Sequence, residues 1–224
     1  MTGRRRGKRR GRAQARHRPS SNSNTLFDFL FLIPCIIGRM SMPLARIGMI
    51  ARWRPVHLGQ AAVLHALCAG APEVSIGVGS SNRYNARNPF TLEETEAMLR
   101  IALEGRNNFT VIPVPDLDDG PRWRMMVQDL FGELDVFVTD NPYVANLMKD
   151  VYRIMRPVDW LDPSERVRVD GTMVRAMMAR GERWQDWVPE GIASYIQENK
   201  LDERFRREFG LETLALQAII QKEI

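Results

Sequence analysis

Cysteine is nearly absent from this chain of 224 residues. The two present, Cys35 and Cys68, lie far apart with no C-x-x-C spacing, so no disulfide framework and no zinc site is implied. Such a chain is expected in a reducing compartment, the cytoplasm. Long apolar runs are also missing. The longest, from Leu26 to Ile37, covers 12 residues and is broken by Asp28 and Pro34, short of the ~20 that a membrane-spanning helix needs. Acidic residues are missing from positions 1–24, where nine basic residues lie between Arg4 and Arg18. The formal charge of +5 therefore belongs to one end. Without that end 23 basic residues face 27 acidic ones, which excludes a basic, nucleic-acid-binding body. Only the tail can attract a polyanion, and it has too little apolar content to fold alone.

What is present is a globular composition, 44% hydrophobic and 26% charged, in a length that favours one domain burying roughly 70% of its unfolded surface. Four segments are expected: a basic disordered tail over 1–24, an apolar extension over 25–46, a main domain over 47–210 and a C-terminal helix over 211–224. The extension reads either as a targeting segment, although no A-x-A cleavage site follows it, or as an unstructured extension, such as sequence ahead of a true start at Met42 or Met49.

From Ile47 onward short apolar runs alternate with helical patterns, as in βαβ units around a parallel sheet. Five strands are predicted, Ile47–Arg52, Glu73–Gly79, Phe109–Val114, Leu134–Thr139 and Val151–Met155, continuous in apolar character because both faces are covered. The first helix is predicted from Gln60 to Ala69, stopped by Gly70. Thr91 and Glu94 form a capping box for the second. Pro121 and Pro142 mark the starts of the third and fourth, where a missing N–H costs nothing. From Gly171 the pattern is helical only. The fold class is α/β, a Rossmann-like doubly wound sheet of about five strands with a helical C-terminal part.

Ligands of such sheets lie beyond the carboxyl ends of the strands, and the loops there carry the chemistry. After the first strand come Arg52, Trp53, Arg54, His57, Gly59 and Gln60, an imidazole and two guanidinium groups beside a helix N-terminus suited to phosphate. After the second come Ser80, Arg83, Arg87 and Asn88, and after the fourth Asp140 and Asn141. Gly171, Thr172 and Arg175 open a late helix as a second phosphate clamp. Singly, each has a structural explanation as a cap or a solvated side chain. Four such loops converging on one crevice point to a nucleotide.

From Ile47 to about Phe209 the sequence resembles the nucleotidylyltransferase superfamily, most closely the archaeal-type nicotinamide-nucleotide adenylyltransferases. The pattern G-R-F-Q-P-x-H-x-G-H is matched by Arg52, Pro55, His57 and Gly59, and a G-S stretch with N-P-F-T by Gly79, Ser80 and Asn88 to Thr91. A P-D pair with a tryptophan seven residues on is matched by Pro115, Asp116 and Trp123, and I-S-x-T-x-[IV]-R by Thr172, Val174 and Arg175. The resemblance implies transfer of AMP from ATP to a nucleotide monophosphate, in the family nicotinamide mononucleotide, giving NAD and pyrophosphate, with magnesium carried by ATP. It implies catalytic roles for His57, Arg52 and Arg175. Nucleotide contacts are implied for Trp53, Gly59, Gln60, Ser80, Arg83, Asn88, Asp140, Asn141 and Thr172, and acceptor contacts for Asp116, Leu117 and Trp123. No protein-held metal and no membrane is expected; self-association is left open.

The departures are specific. Gln60 replaces the second histidine and cannot carry charge. Ala51 replaces the opening glycine, Trp53 and Arg54 the F-Q pair, and Asp170 the serine of the late motif. Thr95 stands where G-E-R ends in arginine, and Gly120 where an asparagine is common. Gln60 and Asp170 support an alternative, a nucleotide-holding regulatory protein on the same fold. Transfer to a different phosphorylated acceptor and nucleic-acid association through the tail are the others.

Overall fold

The computed structural model describes residues 43–222; the basic tail, the run Leu26–Ile37, Cys35 and a start at Met42 lie outside them. Five strands form one fully parallel sheet: β1 (Arg46–Ala51), β2 (Glu73–Gly79), β3 (Phe109–Val114), β4 (Val136–Val138) and β5 (Ile154–Met155). Their order is β3-β2-β1-β4-β5. Helices α1 (Leu58–Gly70), α2 (Leu92–Ala102), α3 (Gly120–Phe131) and α4 (Pro142–Met148) connect successive strands. Right-handed crossovers put α1 and α2 on one face, because the chain first steps outward from β1. They put α3 and α4 on the other, because it then returns past β1 to β4. Helices α5 (Gly171–Arg180), α6 (Glu190–Glu198) and α7 (Leu201–Lys222) follow. Helix α7 runs unbroken through position 210, where a separate terminal helix was expected to begin.

β2 and β3 have the bounds the apolar pattern predicts, and β1 is shifted by one residue. The two strands on the other side are shorter than expected. The amides of Val151 and Tyr152 both bond back to the Met148 carbonyl, so these residues finish the turn after α4 instead of pairing with β4. At β4 the amide of Asp135 still bonds Arg46, and Thr139 turns its hydroxyl to the Asn141 amide at 3.2 Å. Helix α1 starts two residues earlier than expected, with His57 as its N-cap. Gly70 does not stop it. A Cβ there would lie 2.8 Å from the Trp160 ring, so the glycine serves close packing. The capping box of Thr91 and Glu94 is formed, and Pro121 and Pro142 lie in first turns.

Alternation along the strands sends Ile47, Met49, Ile76 and Val78, all buried, to one face and Gly48, Ile50 and Gly77 to the other. On that second face Val114, Val127, Phe131, Phe137, Met148 and Tyr152 form one core, with Phe137 stacked on Tyr152 at 5.8 Å. Phe131 lies so close over the sheet that only glycine fits beneath it. A Cβ on Gly77 would stand 2.6 Å from Ile50 Cγ1 and 2.9 Å from Phe131 Cζ. Gly77→Ala is therefore expected to cost about 1–3 kcal/mol by overpacking, read as a lower urea midpoint. An unchanged midpoint would mean that Ile50 and Phe131 move aside freely.

Candidate active site

β1 is the strand at which the chain reverses its direction of travel across the sheet, and a cavity of about 750 Å³ opens at the carboxyl ends of β1, β2 and β4. Of the residues expected at the site, Arg52, Ser80, Arg83, Asn88, Asp116, Trp123, Asp140 and Asn141 line it. Arg87, Asn85 and Asp118 line it too. Another cavity, about 690 Å³, opens beside Arg46, Glu133, Asp135 and Tyr152. There the Asp135 carboxylate is spent on the amides of Ala45 and Arg46, which is a structural use.

At the mouth of α1, His57 caps the helix with its ring. Nδ1 accepts from the Gln60 amide at 3.3 Å, and the Gln60 side-chain oxygen takes the His57 amide at 3.5 Å. An imidazole whose Nδ1 lone pair is occupied carries its proton on Nε2. Burial pushes the His57 pKa down to about 4; Asp170 opposes that shift and Arg175 adds to it. His57 is thus a neutral donor through Nε2, held in one tautomer by the helix it starts. Gln60 keeps its amide NH₂ as a second neutral donor.

Four guanidinium groups gather here without a carboxylate partner. Among the described residues none of Arg52, Arg54, Arg87 and Arg175 joins an ion pair. Arg175 donates to the Arg54 carbonyl at 2.8 Å and to the Thr172 hydroxyl at 3.3 Å. Gly171 makes that fold-back feasible, since a Cβ there would press on Arg175 Nη1 at 3.0 Å. Burial, with Arg52 nearby, draws the Arg175 pKa to about 10 and that of Arg54 likewise to about 10, so both stay charged at neutral pH. Such a set suits a polyphosphate.

The loop after β2 is fixed from outside. Arg204 of α7 grips Glu94 with two contacts of 2.6 Å and donates to the Pro89 carbonyl at 3.2 Å. Tyr84 donates to Glu208 at 2.6 Å and packs edge-on against Phe209. In the loop after β3, Asp116 has both backbone groups bonded by the Asn82 side chain, at 2.8 and 3.0 Å. Trp123 packs against the core beneath α3 and also lines the cavity. Leu117 is 36% exposed at the same loop.

Trp53, His57, Gly59, Gln60, Leu117, Thr172 and Arg175 lie outside the lining of that cavity, and several expected residues are engaged within the chain. Trp53, read as a nucleotide contact, has a fully buried side chain whose indole N–H bonds the Gly77 carbonyl at 2.8 Å; it is a core residue. Arg83, read the same way, is held by Asp118 and lies 3.7 Å from Asp116, which ties the two loops together. Gly59 faces the Val167 carbonyl and the His57 ring, so the close approach it permits is within the chain. Asn141 caps α4 through its side-chain oxygen. At α5 the Asp170 carboxylate takes the amides of Thr172 and Met173, so the expected anion position is filled by the chain's own carboxylate. Arg54 and Arg87 stand among the loop residues that the sequence points to, without an assigned role; the buried contact of Arg54 with Thr95 spans two elements and has no signal in the sequence.

No family model matches the chain. A nicotinamide-nucleotide adenylyltransferase of Methanocorpusculum labreanum is 33% identical over 152 residues, 66% of this chain and 88% of that protein. Those of Thermococcus onnurineus and Methanoculleus marisnigri are 32% identical over 163 residues and 33% over 165, covering 70% and 72% of this chain and 84% and 95% of theirs. Among solved structures, a bifunctional NMN adenylyltransferase/ADP ribose pyrophosphatase of Francisella tularensis, complexed with AMP and a manganese ion, superposes with a TM-score of 0.57. It is 14% identical, covering 80% of this chain and 56% of that one, a likeness of fold. With the motifs, the switch-point cavity and these relatives together, the chain belongs to the nicotinamide-nucleotide adenylyltransferase family.

Proposed function

We propose that the chain transfers the AMP group of ATP to nicotinamide mononucleotide, forming NAD and releasing pyrophosphate. The observation that supports this best is unpaired positive charge, from Arg52, Arg87 and Arg175, beside a neutral imidazole donor at a helix N-terminus. An oxygen of the acceptor phosphate attacks the α-phosphorus of ATP, and the bond from that phosphorus to the bridging oxygen of the β-phosphate breaks as pyrophosphate leaves. The attacking oxygen is already ionised, so no general base is needed. The protein's task is to align the two phosphates and neutralise the charge that builds on the leaving group. His57 donates from Nε2 to the reacting phosphate, and Arg52, Arg87 and Arg175 hold the triphosphate.

Magnesium suits a site of this kind as a passenger on ATP, where it neutralises the leaving pyrophosphate. Among the described residues Asp140 is the cavity carboxylate with no arginine paired to it, and no group of three or more acidic, histidine or cysteine side chains gathers among them. Trp123 offers a ring face to the pyridinium of the acceptor, beside Asp116 and Leu117. No described helix is long and apolar enough to cross a membrane.

Pyrophosphate release from ATP and magnesium, measured against a panel of nucleotide monophosphates and phosphorylated alcohols, is expected to be fastest with nicotinamide mononucleotide. ATP binding without product from any acceptor would defeat the proposal. His57→Ala should lower kcat by ~10²-fold or more, and an unchanged kcat would remove His57 from the mechanism.

The His57 pKa fixes a pH dependence as well. The unfolded chain binds a proton at His57 near pH 6.5, while the folded chain binds it only near 4. Between these values the unfolded state holds more protons. This residue's stabilising contribution is therefore complete above about pH 6.5 and lost as the pH falls toward 4, at about 1.4 kcal/mol per unit at most. Urea midpoints from pH 7 to 4 should fall less steeply for His57→Ala than for the parent. Equal slopes would mean that His57 titrates alike in both states.

A further inference from the structure

Asp116 and Asp118 stand in the loop after β3, and both line the cavity together with Arg83 of the loop after β2. Arg83 brings one positive charge to two carboxylates: Nη2 is paired with Asp118, and Nε lies 3.7 Å from Asp116. The next aspartate of this loop, Asp119, is spent on the Arg122 amide as the cap of α3. One negative charge is therefore left over beside Arg83. The same cavity holds Arg52 and Arg87, neither of them in an ion pair among the described residues. For a phosphate alone, a surplus carboxylate there would be a hindrance.

The chain nevertheless works to keep these groups in place. Asp118 has a left-handed backbone, φ +54, a conformation that costs most residues energy and that persists where the surroundings demand it. A second unmet acceptor lies in the same wall. Asn85 Oδ1 accepts from the amides of Arg87 and Asn88 at 3.0 and 3.1 Å, so the group that Asn88 turns to it at 3.0 Å is its NH₂. Asn88 Oδ1 is thereby turned away. Asn88 lines the cavity, is 4% exposed, and this oxygen has no donor. Unpaired arginines together with a surplus carboxylate and an unmet acceptor fit a ligand that is anionic at one end and cationic and hydrogen-donating at the other.

We propose that Asp118 is a specificity residue for the acceptor: with Asp116 it supplies the negative charge that selects a positively charged ring. Trp123, which lines the same cavity, offers that ring a face. The inference rests on the proposed use of nicotinamide mononucleotide, whose pyridinium is cationic and whose phosphate is anionic. The pairing with Arg83 is no obstacle, since the two side chains are 39% and 80% exposed and such pairs are weak. A ring cation can share the Asp118 carboxylate with Arg83.

The test isolates the ring charge. Titration calorimetry on the full chain compares nicotinamide mononucleotide with its reduced, uncharged dihydropyridine form, which keeps the phosphate, the ribose and the carboxamide. The ratio of the two affinities is read for the parent, Asp118→Asn, Asp116→Asn and Arg83→Gln. Asparagine accepts a left-handed backbone, so Asp118→Asn keeps the loop as it is. The parent should bind the cationic form more tightly, and Asp118→Asn should lower the ratio about fivefold, the effect of one charge contact in a solvated site. Arg83→Gln, which unmasks the carboxylates, should raise it. An unchanged ratio in Asp118→Asn would overturn the proposal, as would equal losses for both forms, which a merely structural role would give. A lowered ratio in Arg83→Gln would overturn it too. Should Asp118→Asn not fold, Asp116→Asn is read by the same criterion. A parent that binds nicotinamide mononucleotide yet releases no pyrophosphate from ATP defeats the assigned reaction alone. A parent that binds neither form defeats both.

Discussion

Like charges crowded together repel, and the carboxyl end of this sheet is built against that repulsion. Among the described residues Arg52, Arg54, Arg87 and Arg175 form no ion pair with a carboxylate, so backbone carbonyls do part of what counter-charges usually do. The Arg54 carbonyl receives Arg175, the Ser80 carbonyl receives Arg54, and Asp170 keeps a carboxylate near by while spending it on helix amides. Positive charge crowded in this way favours a polyanion as its counter-charge.

The same economy shows at His57. A cap is normally a short oxygen side chain, and here an imidazole takes that place. Its Nδ1 is tied to the Gln60 amide and its pKa is lowered by burial. Glutamine at 60 fits this design, since its side-chain oxygen closes the reciprocal bond to the His57 amide. A neutral pair at the start of α1 adds no further charge to a region that already holds four arginines.

Much of this was legible in the sequence, for physical reasons. Runs such as Glu73–Gly79 and Phe109–Val114 are apolar throughout because both faces are covered, and the Thr91/Glu94 box is a local signal that needs no partner. The family resemblance points to the loops and to eight residues of the cavity wall. Contacts between distant elements were not legible. Trp53 reads like an exposed loop aromatic until β2 is seen to accept its indole, and Gly70 reads like a helix stop until Trp160 is seen beside it. The start of α1 was missed because histidine is rarely a cap, and β5 was overextended because Val151 and Tyr152 look like strand residues while closing a turn.

The grip of α7 on the loop after β2 has a consequence for synthesis. Tyr84, Pro89 and Glu94 are made early, yet the side chains that hold them, Arg204, Glu208 and Phe209, come more than a hundred residues later. On the ribosome the sheet can assemble from its first four strands well before that point. One wall of the cavity must wait. A chain cut short before α7 would lack the side chains that hold the loop after β2, and they emerge only with the first turns of that last described helix.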